Sequence, residues 1–208
     1  MYIIPVASVP AQKVKRVPAD NDISCQLAEA ELLVELLSVC SSETRLAHLE
    51  FLARDSIQEL IDSSIPKALW LKSRLPNLGE EGSLSADEYD KRWLSLIRTS
   101  AENGCKEAEY DYACHLHERR LFERSIPLYR SSALKGYPPS LWCYGLELIQ
   151  GMEIAKDEER GYFYIHMSAE AGYEYALDYL IDEYEKSKDP FGSFGNRSLN
   201  IEKLKILR

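Results

Sequence analysis

The chain is 208 residues long, 45% hydrophobic and 28% charged, with a formal net charge of −9. This length carries its own hydrophobic core and allows one or two domains, and the long patterned apolar segments exclude disorder over the whole chain. The acidic balance excludes a general nucleic-acid binder, which neutralises phosphates with clustered Lys and Arg, and no apolar run reaches the ~20 residues of a membrane-spanning helix.

Residues 1–20 hold Pro5, Pro10 and Pro18 and no helical period, which predicts an extended arm. The opening Met1-Tyr2-Ile3-Ile4-Pro5-Val6-Ala7 is short, is interrupted by Pro5 and has no basic segment before it, so it reads poorly as a secretory signal. A cytoplasmic protein is expected, with periplasmic residence as the alternative where a leader has been removed. From Asp22, the residues Leu27, Ala30, Leu33, Val34 and Leu37 recur at three and four, predicting an amphipathic helix of about 18 residues. Ser41 or Ser42 then caps a second helix with apolar positions Leu46, Leu49, Leu52, Ala53, Ile57, Leu60 and Ile61. A third, shorter helix starts at Pro66, a favoured first-turn residue, and stops before Pro76. Residues 76–84 read as a linker. Ser85 and Glu88 beyond it have the spacing of a capping box and start a new helix. No stretch combines alternation with β-branched enrichment, so the class is all-α.

Three later segments align: Ser100-Ala101-Glu102-Asn103-Gly104, Ser132-Ala133-Leu134-Lys135-Gly136 and Ser168-Ala169-Glu170-Ala171-Gly172, spaced by 32 and 36 residues. Behind each glycine, Ala108, Ser140 and Ala176 share a register. Tyr112, Tyr144 and Leu180 follow four later, and Leu116, Leu148 and Tyr184 four later again. These are i, i+4, i+8 positions of one helix face, and the glycine ends the preceding helix. The unit is an antiparallel helix pair that buries its apolar face only by stacking on neighbours.

This pattern resembles the Sel1-like repeat, a relative of the tetratricopeptide repeat. The best copy runs from Ser140 to Gly172: Tyr144-Gly145 stands for the Leu-Gly of helix A, Gly151 for the loop glycine, Asp157 for the acid that starts helix B, and Ser168-Ala169 to Gly172 for the closing motif. In the preceding copy, Ala108 to Gly136, Ala113 replaces the first glycine and four loop residues are missing around Arg119–Glu123. Residues 88–104 read as a lone helix B and 174–186 as a lone helix A. The expected architecture is a short α-solenoid of Sel1-like helix pairs over 85–186, capped by an N-terminal helical region over 21–84, with the arm at 1–20 and a tail at 187–208.

The five cysteines, Cys25, Cys40, Cys105, Cys114 and Cys143, form no CxxC and no even framework, so buried free thiols are expected. His115 and His117, two apart on a helix, point about 200° from each other, whereas zinc binding on a helix wants i and i+4. No cofactor motif or phosphate-binding glycine loop is present, and Asp178, Asp182, Glu183 and Glu185 read as a solvated acidic face.

Eleven of the 13 tyrosines fall between Tyr110 and Tyr184. Tyr112, Tyr144 and Tyr184 take core positions, while Tyr110, Tyr173, Tyr175 and Tyr179, with Trp142 near, have the composition of a contact surface. The termini carry +2 (1–20) and +3 (191–208), leaving −14 on the body. Such a body suits a partner with a basic surface, and equally a plain solvated exterior. The residues expected to make contact lie on the outer side of the A helices: Tyr110, Asp111, His115, Trp142, Glu147, Asp178 and Asp182. The resemblance implies a non-catalytic protein–protein interaction module with a concave A-helix surface, most sharply a bacterial immunity protein that neutralises a secreted effector toxin. It also implies an adaptor of a secretion or signalling system as an alternative, and a cell-wall or β-lactam hydrolase as another. The cysteine-rich relatives behind that last reading pair cysteines inside each repeat, whereas Cys105, Cys114 and Cys143 fall at different repeat positions.

Overall fold

The structure, a computed structural model, describes residues 20–79 and 84–186. In chain order it forms α1 (Asp20–Val39), α2 (Glu43–Asp62), α3 (Pro66–Arg74), a 3-10 turn (Pro76–Gly79), α4 (Ala86–Glu102), α5 (Lys106–Glu118), α6 (Phe122–Leu134), α7 (Pro138–Gln150), α8 (Glu158–Glu170) and α9 (Glu174–Lys186), with no strand among the described residues. The arm expected before Asp20 and the tail over 187–208 lie outside the described residues.

Among the described residues one turn is used five times. The amide of Ile65 donates to the Leu60 carbonyl, Cys105 to Ser100, Leu121 to Leu116, Tyr137 to Ser132 and Tyr173 to Ser168; one residue earlier, Ser64, Gly104, Arg120, Gly136 and Gly172 each donate to the carbonyl three back. This is the Schellman pairing, and it needs a left-handed residue just past the helix end. Gly104, Gly136 and Gly172 supply it at φ 88°, 74° and 83°, whereas Ser64 and Arg120 hold φ 60° and 58° with a Cβ in place. Exposed Ser64 is therefore strained. Ser64→Gly is expected to stabilise the fold by about 0.5 kcal/mol, relief of strain outweighing the added freedom of the unfolded chain. A denaturant midpoint that falls would contradict this.

The repeated serine has a specific use. Ser100 Oγ donates to the Pro66 carbonyl at 2.8 Å, Ser132 Oγ to Lys106 at 2.7 Å and Ser168 Oγ to Pro138 at 2.7 Å. Each acceptor is the first residue of the preceding A helix, so the fully buried hydroxyl pins the end of helix B to the start of helix A in its own pair. The Ser100 bond corrects the reading of α4 as a lone B helix, because α3 packs along it as helix A. Ala68 stands two residues after Pro66 just as Ser140 does after Pro138, and both are fully buried. Nine residues cut short by Pro76 and an 11-residue connection over 75–85 hide this pair from a repeat search.

At the crossing of α7 and α8, Gly145 and Gly161 face each other. A Cβ on Gly145 would sit 2.8 Å from the Gly161 carbonyl oxygen, and one on Gly161 2.7 Å from that of Gly145. Gly151 closes α7 in the left-handed region and Asp157 caps α8 by accepting from the Arg160 amide at 3.1 Å, as the motif implied. Ser85 and Glu88 form the expected capping box. The core is a row of four clusters, α1–α3, α3–α5, α5–α7 and α7–α9, each shared by successive helices, as stacking requires. On α2, Leu52 and its neighbour Phe51 are exposed instead of joining that core, and Cys25 is an exposed thiol, not a buried one.

Candidate functional site on the A-helix face

Aligning the A helices at their first residues, Pro66, Lys106, Pro138 and Glu174, puts Trp70, Tyr110, Trp142 and Asp178 in one place. Leu71, Asp111, Cys143 and Tyr179 come next. One turn on stand Arg74, Cys114, Leu146 and Asp182, then Leu75, His115, Glu147 and Glu183. All seven expected contact residues fall in this stripe. The structure adds Trp70 and Arg74 from α3, which the sequence reading missed because α3 was not seen as an A helix; Ala68 in the small-residue register was the available signal.

The stripe is knitted sideways. Trp70 Nε1 donates to Asp111 Oδ2 at 2.8 Å, joining α3 to α5, with the cations of Lys67 and Arg74 at 5.7 and 5.9 Å from the Trp70 ring. Burial pushes the Asp111 carboxyl above the ordinary range, against the Trp70 bond and Arg74, which pull it down. Tyr110 meets Tyr137 edge-on at 5.5 Å and Tyr129 at 6.0 Å, while the Tyr129 hydroxyl donates to Cys114 Sγ at 3.4 Å. Trp142 meets Tyr179 edge-on at 5.2 Å, joining α7 to α9. Glu147 faces His117 of α5 at 3.8 Å, and burial raises its carboxyl above the usual range although His117 lowers it. His115 lies against Trp93 and Arg119, and burial, then Arg119, lowers its pKa. Tyr110, Asp111, His115, Trp142 and Glu147 are thus half-buried between repeats, and only Asp178 and Asp182 of the seven stand exposed.

Burial pushes the Cys143 thiol up to about 12 and raises those of Cys105 and Cys114 and the hydroxyl of Tyr110. A nucleophilic thiol needs the opposite shift. The arrangement offers aromatic edges and carboxylates for contact, and the described residues contain no group of three or more metal-ligating side chains.

The solved structure of a Sel1 repeat protein from Oxalobacter formigenes superposes on 61% of this chain and 95% of its own with a TM-score of 0.51 at 24% identity. The chain has the Sel1-like repeat fold. A second solved structure, c5321, a protective antigen present in uropathogenic Escherichia coli strains and displaying an SLR fold, aligns with 78% of this chain at 19% identity and a TM-score of 0.49, and this chain spans 41% of its length. No protein-family model matches the sequence, and no curated protein does. In Sel1-like terms, α3–α4, α5–α6 and α7–α8 are successive pairs, α9 is a further A helix, and α1–α2 close the other end. No helix among the described residues is long and apolar enough to cross a membrane.

Proposed function

We propose that the chain is a non-catalytic protein-binding module and, in its sharpest form, a bacterial immunity protein whose A-helix face enters a basic cleft of a secreted effector toxin. The observation that carries this reading is the exposed pair Asp178 and Asp182 on α9, Asp178 in register with the aromatic positions Tyr110 and Trp142 and Asp182 one turn on. Aromatic residues with carboxylates at their margin suit a basic partner, since the rings supply contact area and the charges speed encounter. The adaptor reading uses the same face and differs only in the partner.

The test is a tagged pull-down of the full chain from its host with mass spectrometry, repeated with Asp178→Lys/Asp182→Lys. The expected result is one stoichiometric, toxic partner bound about ten-fold more weakly by the variant, with stability changed by less than about 0.5 kcal/mol. A secretion component in that position makes the chain an adaptor. A variant that loses stability but keeps its affinity would remove the face assigned here.

A further inference from the structure

On the opposite flank, a cavity of about 560 Å³ opens between α6, α7 and the loop that joins α7 to α8. Its walls are apolar: Ile126 and Leu134 of α6, Tyr144 and Leu148 of α7, and Ile154 of the loop. Tyr144 and Leu148 are repeat-core residues whose edges form the floor, while Leu134 is 66% exposed and stands open at the rim. Two cations, Arg130 and Arg160, line the same cavity, and no carboxylate does. Both arginines are exposed. Arg160 leans on Asp157 at 3.8 Å, and among the described residues no carboxylate pairs with Arg130.

In a chain of net charge −9, an apolar slot whose lining holds two guanidiniums and no carboxylate is a local departure from the overall sign. Guanidinium favours carboxylates because its planar fork matches two carboxylate oxygens, and the exposed leucine rewards an apolar neighbour of that carboxylate. The geometry has a sequence cause. The loop Gly151–Asp157 is longer than the connection Arg119–Leu121 between α5 and α6, and its residues Ile154 and Ala155 close the groove against the neighbouring B helix α6. We propose that this groove binds a short segment of a partner protein in which acidic and apolar side chains alternate, the carboxylates meeting Arg130 and Arg160 and an apolar side chain entering between Leu134 and Ile154. This occupant is opposite in charge to the partner proposed for the A-helix face, and the two surfaces act independently.

The test is a selection of random octapeptides displayed on phage against the immobilised full-length chain, with winners resynthesised, fluorescein-labelled and titrated by polarisation. Winners enriched in Asp and Glu beside Leu, Phe or Ile are expected, with affinity falling as salt rises. Arg130→Glu/Arg160→Glu is expected to weaken them at least about ten-fold, and Leu134→Ser, which keeps both cations, by about three-fold or more. Both changes sit at exposed positions, and unchanged melting temperatures confirm that folding is intact. A selection without binders, winners lacking acidic enrichment, or winners that bind the double-arginine variant equally well would each overturn the proposal. Because the readout omits Asp178 and Asp182, failure here leaves the A-helix reading standing, and the converse holds.

Discussion

Gly145→Val is expected to destabilise the protein by about 3 kcal/mol, a fall in melting temperature of roughly 6–12 °C for a chain of this size. A first side-chain carbon at Gly145 would lie 2.8 Å from the Gly161 carbonyl oxygen and 2.8 Å from the Ile165 side chain. The oxygen belongs to the backbone of α8 and yields only if the two helices separate. Valine adds two methyl groups to that conflict and brings no gain in helix propensity large enough to offset it. Separation would also disturb fully buried Ile165 and Ala169, which carry the cluster shared with α9. At the equivalent positions of α5 and α6 stand Ala113 and Ser125, both fully buried, so that pair carries a Cβ on each helix where α7 and α8 carry none. Thermal melts followed by circular dichroism decide it: an unchanged melting temperature for Gly145→Val would mean that α7 and α8 do not touch at this point.

Lys67→Met is expected to cost about 2–3 kcal/mol, chiefly through the partner it abandons. Lys67 of α3 reaches Glu31 of α1 at 2.6 Å and Glu107 of α5 at 3.0 Å, so one ammonium ties three helices. Glu107 is only 8% exposed. Burial pushes its carboxyl up, yet hydrogen bonds from Lys67, its own amide and Cys105 together with the Lys67 charge bring it below the usual range. Burial likewise lowers Lys67, and its two carboxylate partners raise it above the ordinary lysine value. The signs then give the pH window. The Glu107 contribution is present above the ordinary carboxylate pKa and is lost as pH falls through the lowered native value; the Lys67 contribution is present below the ordinary lysine pKa and is lost as pH rises through the raised one. In the methionine variant the buried carboxyl keeps its desolvation penalty and the bonds from its own amide and Cys105 but loses the Lys67 charge and bond, so protonation in mild acid relieves it. The gap in melting temperature between the two proteins is therefore expected to be widest near neutral pH and to narrow in acid. A gap independent of pH would assign the loss to packing of the lysine stem.

Much of the fold was legible in residues close together in the chain. Ser85 and Glu88 sit three apart and close their own capping box; Gly104, Gly136 and Gly172 end their helices through bonds that span five residues or fewer. Such features depend only on residues within one or two turns of each other. The spacing of Ser100, Ser132 and Ser168 exposed the repeat because the same hydroxyl performs the same pinning bond in each pair. The α3–α4 pair escaped because its evidence is a bond across 34 residues and an A helix cut short by Pro76.

The sequence by itself determined that residues 88–186 form stacked helix pairs and which positions of α5, α7 and α9 share a repeat register, since helical period and end-caps are local properties. Only the tertiary structure decided which members of that register stand exposed. Asp111 spends its carboxylate on Trp70, Tyr110 is closed in by Tyr129 and Tyr137, and Trp142 leans on Tyr179, while Asp178 and Asp182 remain exposed. The arginine-lined groove was equally invisible, because Arg130 and Arg160 lie on different helices. The reason in both cases is the angle at which successive pairs stack, which residues distant in sequence set jointly and no periodicity along the chain encodes.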